Sequence, residues 1–423
     1  ILFSMKQLIS TILVCFSFSI SQSLKKVRPE TVGISSDRLN RIDSVIEKNM
    51  DNNEIVCAVT MVARKGKLVH YKAFGKADVE QNKILNKDDI FRIYSMTKPI
   101  TTVAAMILYE EGFFQLHDPV HWYLPELKDV EVYAKNESDK WVYEKPERHM
   151  TIRDLMTHTS GLTYGLFGNT PVDSMYLAEK LFTNCESNTQ FYNKLVQLPL
   201  VFHPGERWLY GVNTDILGYL VETISGLPLN EFFKERIFTP LEMKDTDFYV
   251  PPEKFNRFIV NYQWDADGKR TIADHPSSSS YKYQPDCLSG GGGLVSTPMD
   301  YMRFCQMMLN GGELDNQRLL SPKSVEIMTT NHLDDAQKPT DGVTLGNGAT
   351  FGLGFRITTD VGQSQELGSV GTYGWGGLAT TMFFIDPVEE LIGIVMTQKF
   401  PTDLRIRHDF KRTLYQAIIQ SYD

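Results

Sequence analysis

The residues best suited to chemistry are a serine and a lysine three positions apart, Ser95 and Lys98. A serine hydroxyl becomes an effective nucleophile when an adjacent amine can accept its proton. At the start of a helix, residues i and i+3 share a face, so the Lys98 amine would lie beside the Ser95 hydroxyl. The positive end of the helix dipole would also favour an alkoxide there. The pattern predicts a serine nucleophile activated by a lysine.

The same Ser-x-x-Lys spacing also occurs at Ser23–Lys26 and at Ser279–Lys282. The first lies at the end of an apolar N-terminal segment and the second in a polar, serine-rich stretch. Ser95 instead follows a strand-like segment and precedes an apolar helix that starts near Pro99. The alternative for this pair is a capping serine followed by a surface lysine. The buried character of the helix argues against that alternative, because a solvated lysine has no reason to stand at its head.

A second group is needed to carry the proton to the leaving group. Tyr210 stands on a turn that precedes a predicted helix beginning at Asn213. A tyrosine beside a cationic lysine can act as a general base. From its spacing alone, Tyr210 could equally be a core aromatic residue.

Signatures of other enzyme classes are absent from the sequence. It contains no Gly-x-Ser-x-Gly, no His-Glu-x-x-His and no Gly-x-x-x-x-Gly-Lys-Ser/Thr motif. The run Gly290–Gly293 lacks a lysine partner, which favours a tight turn over a phosphate cradle. His158 is interpreted as a helix-end residue. No metal site and no other cofactor are predicted.

The composition limits the class of protein and of partner. With 42% hydrophobic and 22% charged residues, the 423-residue chain is typical of globular proteins rather than disordered or fibrous ones. Its net charge of −9 and its scattered basic residues argue against nucleic acid or an anionic membrane surface as partner.

Residues 1–23 have the pattern of a secretory leader. Lys6 precedes an apolar stretch over 8–20, and small residues follow it; residues 1–4 precede the first Met and are interpreted as an upstream scrap. No later apolar run is long enough to span a membrane, so we expect a secreted or periplasmic protein. In that compartment Cys57, Cys185, Cys287 and Cys305 could form disulfides, although buried thiols are favoured for a domain of this size.

The elements that must position these residues come from both ends of the chain. Predicted helices cover 36–50, 100–111, 172–198, 213–224, 299–309 and 404–422, with a capping box at 151–154 and a loop over 265–280. Predicted strands cover 55–64, 68–74, 351–358, 379–385 and 391–397. This order predicts an α/β (α+β) fold, with an antiparallel sheet flanked by helices. Residues 24–115 and 285–423 would form the sheet domain, and 116–284 a mostly helical insertion.

Three motifs together resemble those of the serine β-lactamase-like superfamily: Ser95-x-x-Lys98, Tyr210 before a helix, and Trp375-Gly376-Gly377. The similarity is closest to its class C-like esterase branch, the family VIII carboxylesterases and related transesterases. It runs collinearly from residues 29–34 to residues 397–398. The resemblance implies the fold of β-lactamases and penicillin-binding transpeptidases.

The resemblance also implies roles for individual residues. Ser95 would be the acylated nucleophile, and Lys98 its proton acceptor or a modulator of its pKa. Tyr210 would be the general base that later protonates the leaving alcohol. The backbone N–H groups of Ser95 and Leu378 would form the oxyanion hole. The substrate-binding residues would be Trp375, Gly376, Gly377 and Val212.

Two departures from the lactamase pattern point to esters. Lactamases of this type have Lys-Thr-Gly where this chain has Trp375-Gly376-Gly377, so the cation that binds the drug's carboxylate is replaced by an aromatic wall. They also have Tyr-x-Asn. In this chain the residue two positions after Tyr210 is Val212, and Asn213 is displaced by one position. The deacylating carboxylate of class A enzymes has no counterpart in the sequence.

We therefore expect hydrolysis of short-chain carboxylic esters through an acyl-Ser95 intermediate, with a small-molecule ester as partner. Alternatives within the same chemistry are acyl transfer to another acceptor, weak β-lactamase activity and D-amino-acid peptidase activity. The loops over 164–184 and 265–284 would select the acceptor. A non-catalytic binding protein is disfavoured, because Ser95, Lys98 and Tyr210 are all present.

Overall fold

The computed structural model describes residues 24–183, 185–335, 337 and 345–421, so the predicted leader and Ser23 lie outside the described residues. Within these ranges nine strands form the main sheet. They are β1 (Lys25–Lys26), β2 (Cys57–Arg64), β3 (Lys67–Asp78), β4 (Lys83–Ile84), β5 (Ala349–Phe351), β6 (Arg356–Thr358), β7 (Tyr373–Gly377), β8 (Thr381–Asp386) and β9 (Leu391–Met396).

The sheet joins the two ends of the chain. Its order is β1-β3-β2-β9-β8-β7-β6-β5, with β4 beside β3. Pairing is antiparallel except between β1 and β3. The two central strands β2 and β9 are buried along their whole length, as expected of short, continuous apolar runs. The predicted antiparallel sheet built from both chain ends is confirmed.

The described residues include twelve α-helices, of which those nearest the sheet cover its two faces. They are α1 (Ser36–Leu39), α2 (Arg41–Asp51), α3 (Thr97–Glu110), α4 (Ile152–Thr157), α5 (Pro171–Glu179), α6 (Asn188–Leu195), α7 (Asn213–Ser225), α8 (Leu229–Phe233), α9 (Pro298–Leu309), α10 (Pro322–Met328), α11 (Val361–Ser364) and α12 (Leu404–Tyr415). The α2 and α12 helices bury one apolar face each, and Ile46 and Phe410 pack there against Val62 of the sheet. The α3 and α9 helices pack in the larger apolar cluster on the other face.

The region between residues 116 and 284 contains α4 to α8 and several short helical turns, joined by long irregular segments, and it also contains two hairpins. One pairs Val132–Lys135 with Trp141–Glu144, and the other pairs Asn261–Trp264 with Arg270–Asp274. The second hairpin places its second strand, Arg270–Asp274, inside the segment 265–280 that was predicted as a loop, so the prediction is wrong for these residues. Its first strand also pairs with Lys399–Phe400 near the C-terminus. The proposed domain boundaries stay a prediction, because one apolar cluster includes residues from both regions.

The single helix predicted over 172–198 is two helices. The first, α5, ends at Lys180 in the left-handed conformation, and Ser187 caps α6 by accepting a hydrogen bond from the Gln190 N–H. Between them, Cys185 forms a disulfide with Cys287. Periodicity alone could not locate this break, because the apolar pattern continues on both sides of it. The capping box of Thr151 and Asp154 at α4 is confirmed.

The preference for thiols over disulfides is correct for two cysteines and wrong for two. Cys57 and Cys305 are buried and free, whereas Cys185 and Cys287 are bonded. Among the described residues, no helix is both long and apolar enough to cross a membrane. No group of three or more potential metal ligands was found in the same part of the chain.

Candidate active site

Ser95 lies where a short strand turns into the most apolar helix of the chain. Phe91–Arg92 pairs with Val295–Ser296, and a 3-10 turn over Tyr94–Met96 then leads directly into α3. Tyr94 has φ of +42°. That region is uncommon for residues other than glycine, and such strain is concentrated at functional sites. The turn leaves Ser95 half-buried in the wall of a cavity.

Lys98 is a buried lysine that donates hydrogen bonds to three acceptors. Its Nζ lies 3.4 Å from Ser95 Oγ, 3.0 Å from Tyr164 Oη and 2.6 Å from the carbonyl oxygen of Gly291. An ammonium group has three N–H donors, so these acceptors satisfy it fully although only 1% of the residue is exposed. As a free amine, Nζ could instead accept the Ser95 proton.

A tyrosine and a carboxylate continue the network beyond Lys98. Tyr164 Oη donates to Asp215 Oδ2 at 3.1 Å, and Asp215 Oδ1 accepts from Ser289 Oγ and the Gly291 N–H. Burial, with a further contribution from Asp215, raises the pKa of Tyr164 well above its usual value. Tyr164 therefore stays a neutral phenol at physiological pH and connects the lysine to the carboxylate.

Tyr210 lies in the same cavity and contacts Lys98 through its ring. Lys98 Nζ is 4.6 Å from the ring centroid, and Trp375 Nε1 donates to Tyr210 Oη at 3.3 Å. Within the described hydrogen bonds, Tyr210 Oη is not joined to Ser95 or Lys98. Catalytic hydrogen bonds often tighten only when substrate binds, so its role as base stays a prediction.

His158 is confirmed as a helix-end residue, and its ring packs against the ring of Tyr210. It ends α4 in the left-handed conformation, and its ring lies 4.9 Å from the ring of Tyr210. Burial, and secondarily the charge of Lys98, lower the pKa of His158 well below its usual value. The imidazole is therefore neutral, and its Nδ1 shares a 3.0 Å hydrogen bond with the side-chain amide of Asn213.

Val212 and Asn213, which follow shortly after Tyr210 in the sequence, do not reach the cavity. Val212 precedes α7 and packs in the main apolar cluster, so the prediction that it binds substrate is wrong. Asn213 is fully buried and hydrogen-bonded to Ser160 and His158. Its displacement by one position therefore leaves the amide in this buried hydrogen-bond network rather than in the cavity wall.

The strand β7 brings the Trp375-Gly376-Gly377 motif to the cavity, with Leu378 directly after it. The structure gives a steric reason for both glycines. A Cβ at Gly377 would lie 2.2 Å from the carbonyl oxygen of Ile93, and one at Gly376 would lie 2.5 Å from the Arg407 guanidinium. Gly377 therefore lets the end of β7 lie against the turn that carries Ser95. This places the Leu378 backbone beside the turn that holds Ser95. The oxyanion hole itself stays a prediction.

The glycine run is a tight turn, as predicted. The N–H groups of Gly292 and Gly293 both donate to the carbonyl oxygen of Ser289. A Cβ at Gly291 would lie 2.3 Å from Asp215 Oδ2. The absence of a side chain there allows the turn to approach α7 closely and to present a carbonyl oxygen to Lys98.

The cavity has a volume of about 1000 Å³. This volume suits a drug-sized ligand. Its wall is largely aromatic and aliphatic and includes Tyr94, Leu166, Phe167, Phe182, Phe248, Tyr281, Leu345 and Trp375. The disulfide contributes Cys287 to this wall and ties it to the segment that holds Cys185.

A family model described as "Beta-lactamase" matches residues 42–417, which is most of the chain. The chain belongs to the beta-lactamase family. Its fold and site agree with this membership, because the turn that carries Ser95, the helical region and the end of β7 meet at one cavity.

Relatives within the beta-lactamase family cover most of the chain. Protein Rv1367c of Mycobacterium tuberculosis is 35% identical over 84% of this chain and 91% of its own length. Lovastatin esterase of Penicillium rubens is 28% identical over 90% of this chain and 97% of its own length. The solved structure of "EstCE1, a hydrolase with promiscuous acyltransferase activity" shares the fold, with a TM-score of 0.77, 24% identity, and coverage of 90% of this chain and 99% of that one. Family, relatives and fold together make this chain a serine hydrolase or acyltransferase of the beta-lactamase family.

The sequence analysis did not identify Tyr164 and Asp215 as site residues. Asp215 looks like an ordinary acidic residue in the first turn of a helix, where carboxylates are favoured. Tyr164 follows Gly161 in a segment without regular structure. The packing of α7 against α3 brings Asp215 close to Lys98, and Tyr164 lies between the two side chains. Both residues are more than sixty positions from Lys98 along the chain.

Proposed function

We propose that the protein hydrolyses carboxylic esters through an acyl-Ser95 intermediate. The observation that carries this proposal is the 3.4 Å approach of Lys98 Nζ to Ser95 Oγ in the wall of a large, mostly apolar cavity. The aromatic ring of Trp375, which stands where lactamases have a lysine, favours an ester over a lactam. The name of the lovastatin esterase supports the same assignment.

Each half-reaction uses residues of this cavity. Ser95 Oγ attacks the ester carbonyl while its proton passes to Lys98 or Tyr210. The N–H groups of Ser95 and Leu378 stabilise the oxyanion, and removal of one such donor typically costs about 10²- to 10³-fold in rate. Tyr210 then protonates the departing alcohol, and water attacks the acyl-Ser95 ester with the same groups as base.

The direct test compares 4-nitrophenyl butyrate with a chromogenic cephalosporin, using the wild-type protein and Ser95→Ala. We expect the butyrate to be cleaved faster, the Ser95→Ala variant to be inactive, and a phosphonate to label the wild type at Ser95. The proposal fails if neither substrate turns over and no adduct forms. Cleavage of the cephalosporin alone would contradict the role given to Trp375.

Acyl transfer to an alcohol is the second candidate, because the cavity is larger than a short acyl group requires. A volume of about 1000 Å³ leaves room for an acceptor beside the acyl-enzyme. Turnover of 4-nitrophenyl butyrate with increasing butanol would distinguish the reactions. A transferase forms butyl butyrate in proportion to the alcohol, whereas a hydrolase releases butyrate.

We also propose that the protein acts outside the cytoplasm. The Cys185–Cys287 disulfide supports this, because such bonds persist in oxidising compartments. Expression of the chain with residues 1–23 in a bacterial host should yield a mature product in the periplasm or medium. Retention of the full-length chain in the cytoplasm would contradict the proposal.

A further inference from the structure

A group of charged residues lies at the side of the cavity facing α12. Arg356, Glu366, Arg407, His408 and Lys411 all line the cavity. Three of these side chains are permanent cations and one is a carboxylate. The charged side therefore differs from the aromatic wall that surrounds the rest of the cavity.

Two of the basic side chains are already paired with the single carboxylate. His408 Nδ1 lies 2.8 Å from Glu366 Oε1, and Lys411 Nζ lies 2.7 Å from Oε2. Although burial opposes it, these two partners lower the pKa of Glu366 to about 2. Glu366 is therefore ionised at neutral pH, and both of its carboxylate oxygens are paired with side chains of α12.

Arg407 has no such partner. Its Nη2 donates to the carbonyl oxygen of Gly377, while its Nε is buried and lacks a hydrogen-bond partner among residues 24–183, 185–335, 337 and 345–421. Asp403, which caps the N-terminus of α12, pairs with Lys399 at 2.6 Å, and Asp409 on the helix pairs with Arg412 at 2.7 Å. Burial lowers the pKa of Arg407 to about 10, so the guanidinium is still charged at neutral pH. Arg407 is half-buried, and within the described residues it forms no ion pair, although the charge of Asp403 favours its protonated form. An incoming anion would offset the remaining cost of desolvating this charge.

The position of Arg407 relates it to the reacting centre. Its guanidinium lies over Gly376, where a Cβ would be 2.5 Å from it, and it bonds the residue that precedes Leu378. In the described chain, β6 pairs with β7 only at Tyr373 and Gly374, so residues 375–377 leave that edge free for substrate. A substrate lying along this edge would pass beside the guanidinium.

We propose that Arg407 binds a carboxylate of the substrate, so that the preferred esters are acidic ones. This inference rests on the proposed function, because it names the substrate class of the same site. It also revises the expectation that this site lacks a cation for a carboxylate because β7 has no lysine. A cation is present at this strand after all, supplied by the last helix rather than by the strand. The guanidinium would bind the carboxylate through charge-assisted, paired hydrogen bonds.

The test uses ester pairs that differ only in charge. For the leaving group, the pair is 3-(butanoyloxy)benzoate and 3-(butanoyloxy)benzamide. For the acyl group, the pair is the mono-4-nitrophenyl ester of adipic acid and the corresponding adipamide ester. The wild type should prefer one acid over its amide by at least about ten-fold in kcat/KM, and the responding pair identifies the side on which the carboxylate lies.

The variants separate recognition from positioning. Arg407→Gln should abolish the preference for the acid, and Arg407→Lys should restore part of it. Arg405→Gln is the matched control, because Arg405 lies on the same helix and pairs with Glu54 away from the cavity; it should leave the preference unchanged. Equal losses for acid and amide in Arg407→Gln would overturn the proposal and leave Arg407 as a positioning residue for Gly377.

The outcomes also distinguish this inference from the proposed function. Turnover of the amide esters with no preference for the acids would retain the esterase and overturn carboxylate binding. If no ester is cleaved, the proposed function fails. Calorimetric titration of 3-hydroxybenzoate then decides the inference: binding to the wild type with at least ten-fold loss in Arg407→Gln supports it, and equal binding to both overturns it.

Discussion

At the scale of single residues, the site depends on a buried lysine whose three N–H donors each have an acceptor. Lys98 is held by Ser95, Tyr164 and the Gly291 carbonyl. Burial of a charge without partners would cost several kcal/mol, so each acceptor both stabilises the fold and positions the amine.

Replacement of Tyr210 by phenylalanine tests its role as base. We expect Tyr210→Phe to lower kcat/KM by about 10²- to 10⁴-fold, the usual contribution of a positioned acid–base group. Steady-state kinetics with 4-nitrophenyl butyrate measures this loss, and thermal unfolding should show a folded variant. Unchanged turnover would make Lys98 the sole base.

Replacement of Tyr164 by phenylalanine tests the link between Lys98 and Asp215. The variant leaves one donor of Lys98 and one oxygen of Asp215 without their partner, so we expect kcat to fall by about ten-fold or more while KM changes little. Tyr192→Phe is a matched control, because it removes a 2.9 Å hydrogen bond to Glu126 elsewhere in the molecule. If both variants lose activity equally, the effect is structural and Tyr164 has no special role.

At the scale of elements, the site is the junction of the α3 turn with the end of β7. Gly377 makes this junction possible, since a Cβ there would lie 2.2 Å from the Ile93 carbonyl oxygen. Backbone cannot give way as a flexible side chain can. The two elements would therefore have to separate, and the distance between Ser95 and Leu378 would grow.

Gly377→Ala should consequently reduce both activity and stability. We expect kcat to fall by about 10²-fold, because displacements near 1 Å have such effects, and the free energy of unfolding to fall by about 1–3 kcal/mol. Denaturant unfolding and ester hydrolysis measure the two effects. Gly362→Ala on the exposed α11 helix is the control and should change neither. Full activity of Gly377→Ala would show that the junction is looser than the structure indicates.

At the scale of the whole molecule, one disulfide ties distant parts of the cavity wall together. Cys185 and Cys287 are separated by 102 positions in the sequence. A cross-link over such a loop restricts the unfolded chain strongly, and disulfides typically contribute about 2–4 kcal/mol. The bond therefore both stabilises the protein and holds the wall beside the glycine turn.

Reduction should lower the free energy of unfolding by about 2–4 kcal/mol. Denaturant titrations with and without dithiothreitol measure the change, and a Cys185→Ala/Cys287→Ala variant should be less stable but insensitive to the reductant. A response of the double variant to dithiothreitol would contradict this account.

The two free thiols, Cys57 and Cys305, should be unreactive. Burial raises the pKa of Cys57 to about 12 and raises that of Cys305. These thiols should therefore not react with a thiol reagent in the native protein.

The sequence by itself predicted most of the elements and the approach of Lys98 to Ser95. Apolar periodicity located most of the helices and strands, because burial of one face leaves a regular pattern. The spacing of Ser95 and Lys98 predicted their approach, since helical geometry relates i to i+3. The motifs in order along the chain predicted the family and the sheet built from both ends.

Only the tertiary structure decided which distant side chains complete the site. Asp215 reaches Lys98 through Tyr164 because α7 packs beside α3, and Arg407 reaches the edge of β7 because α12 crosses the sheet there. The same packing turned Val212 away from the cavity and joined Cys185 to Cys287. Local patterns record which face of an element is buried, but they do not record which residues of other elements meet that face.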